Sequence, residues 1–478
     1  MNYGVVFYCL GWVLCFEALF LVPPSICALI YREKDGLSLV ITMLLCLCAG
    51  AFAVFYKPKR KRLYSREGFV IVALSWFVLS LFGALPFRLS GYIPHMVDAV
   101  FETASGFTTT GASILSEVES LPRCLLFWRS FTHWIGGMGV LVFVIAILPL
   151  AGGSDMFLMK AESPGPSVKK LVPKVKNTAG ALYSMYIVIT VLQFLFLVAG
   201  KMPVYESMLT AFGTAGTGGF GFLNDSMARM TVYQQVVITI FMILFGVNFN
   251  AYFLIYQRKF RDILGMSEVI AYFSVIAASV ILISININGM YPHTWMAVKD
   301  AAFQVGSIIT TTGFSTTDFN LWPTFSKGLL VTLMFVGACA GSTGGGIKVS
   351  RVLIMAKTLK KEILSYIHPN SVRKIKVDGR QLEHSVLRAT NVFLCTYAFV
   401  FVFSFLIVTL DNFDLETSFT AVAATLNNIG PGLSKVGPSA NFGGMSYLSK
   451  IVLTFDMIAG RLELFPVLIL FTKSTWKK

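Results

Sequence analysis

Four stretches of this chain are variations on one phrase: FETASGFTTTGAS at 101–113, FGTAGTGGFGF at 212–222, FQVGSIITTTGFSTTDF at 303–319 and TLNNIGPGLS at 425–434. The string TTTG stands in both the first and the third. Setting TTTGA against GTGGF, TTTGF and NNIGP brings Gly111, Gly219, Gly313 and Gly430 into one column, at intervals of 108, 94 and 117 residues. Thirteen positions before each glycine stand Asp98, Glu206, Asp300 and Thr417, the last with Glu416 beside it. An acid at the start of a short helix complements the positive end of the helix dipole. Each stretch therefore reads as an acid-capped half-helix followed by an extended segment that turns at a glycine, the residue that reaches φ > 0 without steric cost.

Long apolar segments flank all four. Membrane spans need roughly 20 apolar residues each, and candidates lie at about 4–30, 37–56, 68–90, 124–150, 179–200, 231–256, 268–289, 389–410 and 446–472. A tenth, about 324–356, is interrupted by glycines. Of 478 residues, 55% are hydrophobic and 13% charged, against about 25% charged in soluble proteins. Mean hydropathy is +0.72. A disordered chain, a coiled coil and an ordinary cytosolic enzyme are thereby excluded. The chain is apolar from its start, without a basic n-region or a small-residue cleavage site, so the first segment is expected to be a retained span. Eight spans pair around the four glycine stretches, and the first two are an addition. The expected divisions are 1–60 for the two added helices, then repeats at 61–160, 161–262, 263–370, with the broken helix, and 371–478.

The net charge is +15, and 27 of the 39 Lys and Arg fall in 57–66, 160–176, 258–261, 348–388 and the C-terminus. Alternating spans put all five segments on one side, which the positive-inside rule makes cytoplasmic together with both termini. The glycine stretches then fall outside, and the excess charge is topology; no nucleic-acid partner is expected. For 348–388, with ten basic residues, a docking surface and a solvated topogenic loop are both open readings. The eight Cys lie in or beside apolar stretches and suggest no disulfide framework; Cys46 and Cys48, two apart on a helix, face different sides. The five His form no metal-binding spacing, and no nucleophile–base set points to an enzyme.

Irregular backbone is tolerated at membrane depth only where it is buried in protein or lines a water-filled path. Four such loops suggest a ring around one axis. Half-helices entering from outside would aim their negative ends at the membrane centre, and backbone carbonyls could replace a cation's hydration shell. GACAGSTGGGIK (337–348) should break its helix, because each interior glycine costs up to about 1 kcal/mol. Ile347 separates Gly346 from Lys348, so this is not a phosphate loop. Arg461 sits within the last span, where an embedded charge is functional by default. It either opposes cations near the path or makes a packing salt bridge with another repeat. Glu463, two residues on, faces elsewhere.

SGFTTTGAS (105–113), AGTGGFG (215–221), TTTGFSTTDF (310–319) and NNIGPGLS (427–434), with WIGGMG (134–139), GVNF (246–249), GSTGGGIKVSR (341–351) and IAGRLELF (458–465), resemble the Trk/Ktr/HKT superfamily of potassium transport proteins, TrkH type. The two added N-terminal helices fit that type. The resemblance implies an all-α integral membrane protein: four pseudo-symmetric helix–pore loop–helix repeats around one central pore, plus two extra N-terminal transmembrane helices. It implies a K⁺ selectivity filter of backbone carbonyls from Thr109, Thr110, Gly111, Thr217, Gly218, Gly219, Thr311, Thr312, Gly313, Asn428, Ile429 and Gly430. Below it would lie a gate loop of Gly341, Ser342, Thr343, Gly344, Gly345 and Gly346, and a pore-lining charge at Arg461; for the loop, close helix packing through small residues is the other open reading. K⁺ would be the transported ion, with no bound cofactor. Partners would be a second copy in a homodimer, membrane lipid, and a cytoplasmic nucleotide-binding regulatory ring of TrkA-like subunits. The setting would be a bacterial cytoplasmic (inner) membrane. The fourth loop departs from the pattern, with Asn427 and Asn428 for Thr and Pro431 after the glycine. An ion-coupled (H⁺ or Na⁺) secondary transporter carrying K⁺ or a small solute is the alternative, although such carriers are usually built in two inverted halves.

Overall fold

The computed structural model describes residues 1–56, 64–147, 175–370, 374–378 and 380–477. It is mostly helical. The first segment is α1 (Tyr3–Phe20) and α2 (Val22–Tyr31), separated where Pro23 and Pro24 open α2, since proline suits a first helical turn and no later one. α3 (Gly36–Phe55) packs back along α1. Among the described residues, six helical segments are long and apolar enough to cross a membrane. Their outward side chains, such as Leu29, Phe55, Ile285 and Phe399, are exposed and suit lipid. Cys46 is buried and Cys48 exposed, on opposite faces as their spacing requires.

One unit then recurs four times: an outer helix, a half-helix, a glycine turn and an inner helix. The first is α4 (Ser65–Gly83) with α5 (Leu85–Leu89), α6 (Met96–Phe107) and α7 (Arg123–Ile147). The second is α8 (Val175–Ala199), α9 (Val204–Ala215), then α10 (Val232–Phe245) and α11 (Phe249–Tyr256), followed by the short α12 (Phe260–Leu264). The third is α13 (Ser267–Ile287), α14 (Thr294–Ile309), then α15 (Thr324–Met334) and α16 (Val349–Ile367). The fourth is α17 (His384–Val408), α18 (Leu415–Leu426), then α19 (Tyr447–Arg461) and α20 (Phe465–Leu468), with α21 (Lys473–Trp476) at the end. Between α16 and α17 a two-residue antiparallel ladder pairs β1 (Lys376–Val377) with β2 (Arg380–Gln381). Its Asp378 accepts from the Ser267 N–H at 2.8 Å, docking this basic hairpin on the start of α13.

The inner helices differ from the sequence expectation in an instructive way. The span expected at 231–256 bends by 91° between α10 and α11. The span expected at 446–472 breaks after Arg461, where Glu463 and Leu464 take φ of 54° and 71°. The span at 324–356 is helical only to Met334 and again from Val349. α7 runs on to Ile147 unbroken.

The acids also move. α14 starts at Thr294, so Asp300 lies inside it rather than at its cap; it pairs with Lys299 at 2.9 Å and accepts from the Thr316 hydroxyl. Asp98 and Glu206 do stand in first turns, but Asp98 is tied to Lys450 of α19 at 2.7 Å. The fourth half-helix is capped by Asp414, which accepts from the Thr417 N–H at 2.8 Å and its hydroxyl at 2.7 Å.

The two chain ends meet: the Met1 amino group donates to the Lys477 carbonyl, and the Tyr3 hydroxyl to that of Trp476 at 2.7 Å. Both lie beside Arg66 at the start of α4, so the termini share one face. Most of the basic segments 57–66 and 160–176, and the divisions at 60/61 and 160/161, lie outside the described residues.

Candidate functional site: a ring of four glycine turns

Each half-helix ends in the same way. The N–H two residues past the helix cap reaches back five residues: Thr110 to Ser105 (2.9 Å), Gly218 to Gly213 (2.9 Å), Thr312 to Ser307 (2.8 Å) and Ile429 to Ala424 (2.8 Å). This is the Schellman closure. Its left-handed position is held by Thr109, Thr217, Thr311 and Asn428, with φ of 56°, 53°, 59° and 56°. A left-handed residue with a side chain costs about 1–2 kcal/mol, least for Asn, and here it is imposed four times over. Two residues on, Gly111, Gly219, Gly313 and Gly430 again have positive φ, of 80°, 78°, 85° and 97°. Alternating signs of φ let successive carbonyls turn to one side, which glycine permits at its position without steric cost.

The four turns close on one another. A Cβ placed on Gly111 would stand 2.1 Å from the Gly218 carbonyl oxygen; on Gly219, 1.9 Å from that of Thr312; on Gly313, 2.1 Å from that of Ile429; and on Gly430, 2.7 Å from that of Thr110. Each glycine thus faces the carbonyl just before the glycine of the next repeat, and the fourth returns to the first. Thr109, Thr110, Thr217, Thr311, Thr312, Asn428 and Ile429 are wholly buried around this ring. Hydroxyls brace the first and third turns, Thr108 to Thr110 at 2.8 Å and Thr310 to Thr312 at 2.7 Å. In the fourth turn amides take over. Asn428 donates to the Thr110 hydroxyl at 3.0 Å and to the Met457 carbonyl at 2.8 Å, and Asn427 donates to the Tyr397 hydroxyl. The departure from threonine therefore stitches the last repeat to the first.

The glycine-rich loop lies against the ring's inner side. The Gly345 N–H donates to the Thr311 hydroxyl at 2.8 Å. A Cβ on Gly344 would meet the Thr310 carbonyl at 3.1 Å, and one on Gly345 the Asn427 carbonyl at 3.0 Å, so side chains there would collide with the half-helix ends. The loop is sewn to its neighbours: the Cys339 N–H to the Gly246 carbonyl, the Phe249 N–H to the Gly341 carbonyl, and the Thr343 hydroxyl to the Phe245 carbonyl. Ser342 closes locally on the Cys339 carbonyl. The bend at 246–248 thus exists to receive the loop. Lys348 donates to the Gly344 carbonyl. Gly346 has φ of 71°.

Arg461 ends α19 directly beneath the fourth turn, next to Gly460, where a Cβ would stand 2.0 Å from the Leu426 carbonyl. Its guanidinium forks to two backbone carbonyls, Thr343 of the loop at 2.7 Å and Gly136 of α7 at 2.8 Å. It has no carboxylate partner among the described contacts. Glu463, which the spacing turns away from it, pairs instead with Arg351 of α16.

No motif signalled a polar cluster behind the first two turns. Glu102 of α6 holds Arg129 of α7 at 2.7 Å, and Arg129 reaches the Gly221 carbonyl at 2.9 Å. His133, one helical turn on, contacts the backbone of Gly106 and Phe220. The signal that marks Arg461, a charge inside an expected span, applies equally to Arg129 in 124–150 and was the available clue, together with Glu102 in the half-helix.

A sequence model of the TrkH family, described as a cation transport protein, matches residues 36–285 and 269–478. The Trk system potassium uptake protein TrkH of Escherichia coli K12 is 37% identical over 468 residues, covering 96% of each chain. Its counterpart in Vibrio parahaemolyticus is 37% identical over 491 residues, covering 100% of each. E. coli TrkG, also named as a Trk system potassium uptake protein, is 32% identical over 99% of this chain and 98% of its own. The crystal structure of the potassium transporter TrkH from V. parahaemolyticus superposes with a TM-score of 0.89 at 33% identity, covering all of both chains. With the fold, the ring and these likenesses in agreement over its length, the chain belongs to the TrkH family of multi-pass membrane transport proteins, which are not enzymes.

Proposed function

We propose that this chain carries K⁺ inward across the bacterial cytoplasmic membrane, along the axis of the four-glycine ring. The observation that carries the reading is the cyclic contact of each glycine with the carbonyl of the next repeat. It supports a selectivity filter in which the carbonyls of the four turns replace the ion's hydration shell. Four half-helices end at the ring, and each C-terminus carries about half a negative charge, so the backbone itself favours a cation there. The glycine-rich loop below is the gate, and the Arg461 fork holds it shut by joining it to the first repeat. α16 leaves the loop at Val349 and carries Lys357, Lys360 and Lys361. A TrkA-like nucleotide-binding ring docking on this basic side of a homodimer could move the loop through that helix. The names of the relatives, components of a Trk system, support a partner subunit. Both termini belong on the cytoplasmic face.

Four quadrants of one topology closing on one axis favour a pore over a carrier built from two inverted halves. The test is uptake of radioactive Rb⁺ into proteoliposomes holding the purified chain, driven only by a K⁺ diffusion potential. Uptake without a proton or Na⁺ gradient is expected. Strict dependence on either gradient would replace the pore by the coupled carrier.

A further inference from the structure

The ring is fourfold, but what stands behind it is not. At the junction of the first and second repeats, α7 presents Arg129 and His133, which are 3% and 0% exposed. The Phe220 N–H donates to His133 Nε2 at 3.1 Å, and His133 Nδ1 lies 2.8 Å from the Gly106 carbonyl. The first partner can only donate and the second can only accept. The neutral ring with its proton on Nδ1 satisfies both. The imidazole also packs on the turn itself: a Cβ on Gly218 would fall 2.2 Å from Nδ1.

Arg129 lies over the Phe220 ring, its Cζ 3.5 Å from the centroid, and bonds the Gly221 carbonyl. Its other partner, Glu102, accepts from the Ser113 hydroxyl and, at 2.9 Å, from the Ile114 N–H. One connected bracket therefore grips the first turn just past Gly111 and the second turn just past Gly219.

The same residues do not recur in the fourth repeat, and the counterparts of Glu102 differ in all three others. Gly136 and Gly460 correspond, since each faces the last carbonyl of its own half-helix, Phe107 and Leu426. The residues three and seven positions before Gly460 are Met457 and Leu453, both apolar. The counterparts of Glu102, nine residues before each ring glycine, are Thr210, Gln304 and Ala421.

We propose that Arg129 and His133 are specificity-determining positioning residues: without touching the ion, they fix the carbonyls of the second turn along this edge of the ring. The proposal rests on the ring being the filter. A displaced carbonyl accommodates a smaller cation more readily, so loosening this edge favours Na⁺.

The test measures relative Na⁺ and Rb⁺ uptake by the full chain in proteoliposomes, in His133→Leu, His133→Gln, Arg129→Lys and Gly313→Ala. His133→Leu should raise the Na⁺:Rb⁺ ratio on the order of tenfold, which corresponds to about 1.4 kcal/mol. His133→Gln, which keeps a donor and an acceptor, should recover part of the selectivity. Arg129→Lys keeps a positive charge for Glu102 but gives up the planar fork; it should also raise the ratio, and it decides the matter if His133→Leu does not fold. Wild-type ratios in folded His133 and Arg129 variants, with a raised ratio in Gly313→Ala, would overturn the bracket and leave the filter standing. An unchanged ratio in Gly313→Ala as well would remove the filter and the proposal together.

Discussion

Gly313→Ala is the sharpest local perturbation of the ring. A Cβ there would lie 2.1 Å from the Ile429 carbonyl oxygen and 3.0 Å from Pro431 Cδ, whereas ordinary contact begins at 3.4 Å. The Ile429 carbonyl must therefore withdraw by about 1 Å, and the proline leaves little room on the other side. The left-handed φ of 85° adds about 1–2 kcal/mol for any residue with a side chain. A carbonyl that far out of place no longer contributes fully to the coordination that tells K⁺ from Na⁺. In proteoliposomes, Rb⁺ uptake should fall on the order of tenfold, for a loss of about 1.4 kcal/mol, and the Na⁺:Rb⁺ ratio should rise. Gly328→Ala is the control: Gly328 is in α15 with nothing within 4 Å of an added Cβ, so transport should not change. Wild-type uptake and selectivity in folded Gly313→Ala protein would refute the reasoning.

Further outcomes follow from the inner side of the ring. Arg461→Gln should raise uptake in the absence of any partner, and so should Arg461→Lys, because one ammonium does not reproduce a planar fork that spans the carbonyls of Thr343 and Gly136. Wild-type uptake in Arg461→Lys would show that charge alone matters. Deleting 343–346 removes the fork's anchor and the bond to Thr311, and should also raise basal uptake; unchanged or lower uptake in folded protein would end the gate assignment. Asp414→Ala loses the cap of α18, worth about 1 kcal/mol, and should lower the thermal midpoint while leaving the Na⁺:Rb⁺ ratio alone. A changed ratio would place Asp414 in the ion path instead.

Much of this architecture was legible because it repeats. The glycine column at 111, 219, 313 and 430 marks positions where only a residue without Cβ fits, a local requirement that sequence records directly. The break at 337–348 was equally legible, since its glycines are poor helix formers. The bend at 246–248 and the break after Arg461 were not. Both segments are apolar enough to read as continuous spans, and the kinks are set by partners far along the chain: Cys339 and Gly341 for the first, and Arg351 on Glu463 beside the second. Asp300 shows the reverse error, a correct column with the wrong role, because α14 begins about one turn earlier, relative to its ring glycine, than the other half-helices. Arg461 was legible as a site, but its partners were not. Two backbone carbonyls, distant in sequence, leave no mark on residue type. The bracket of Glu102, Arg129 and His133 shows its charges in the sequence, but its contacts at Gly106, Phe220 and Gly221 are backbone atoms and do not.

The most direct measurement of the central claim is anomalous X-ray diffraction from crystals of the protein grown in Rb⁺ or Tl⁺. The account predicts a peak on the axis enclosed by the carbonyls of Thr110, Gly218, Thr312 and Ile429. A peak elsewhere in the molecule, with the ring axis empty in protein that transports the same ion, would contradict it.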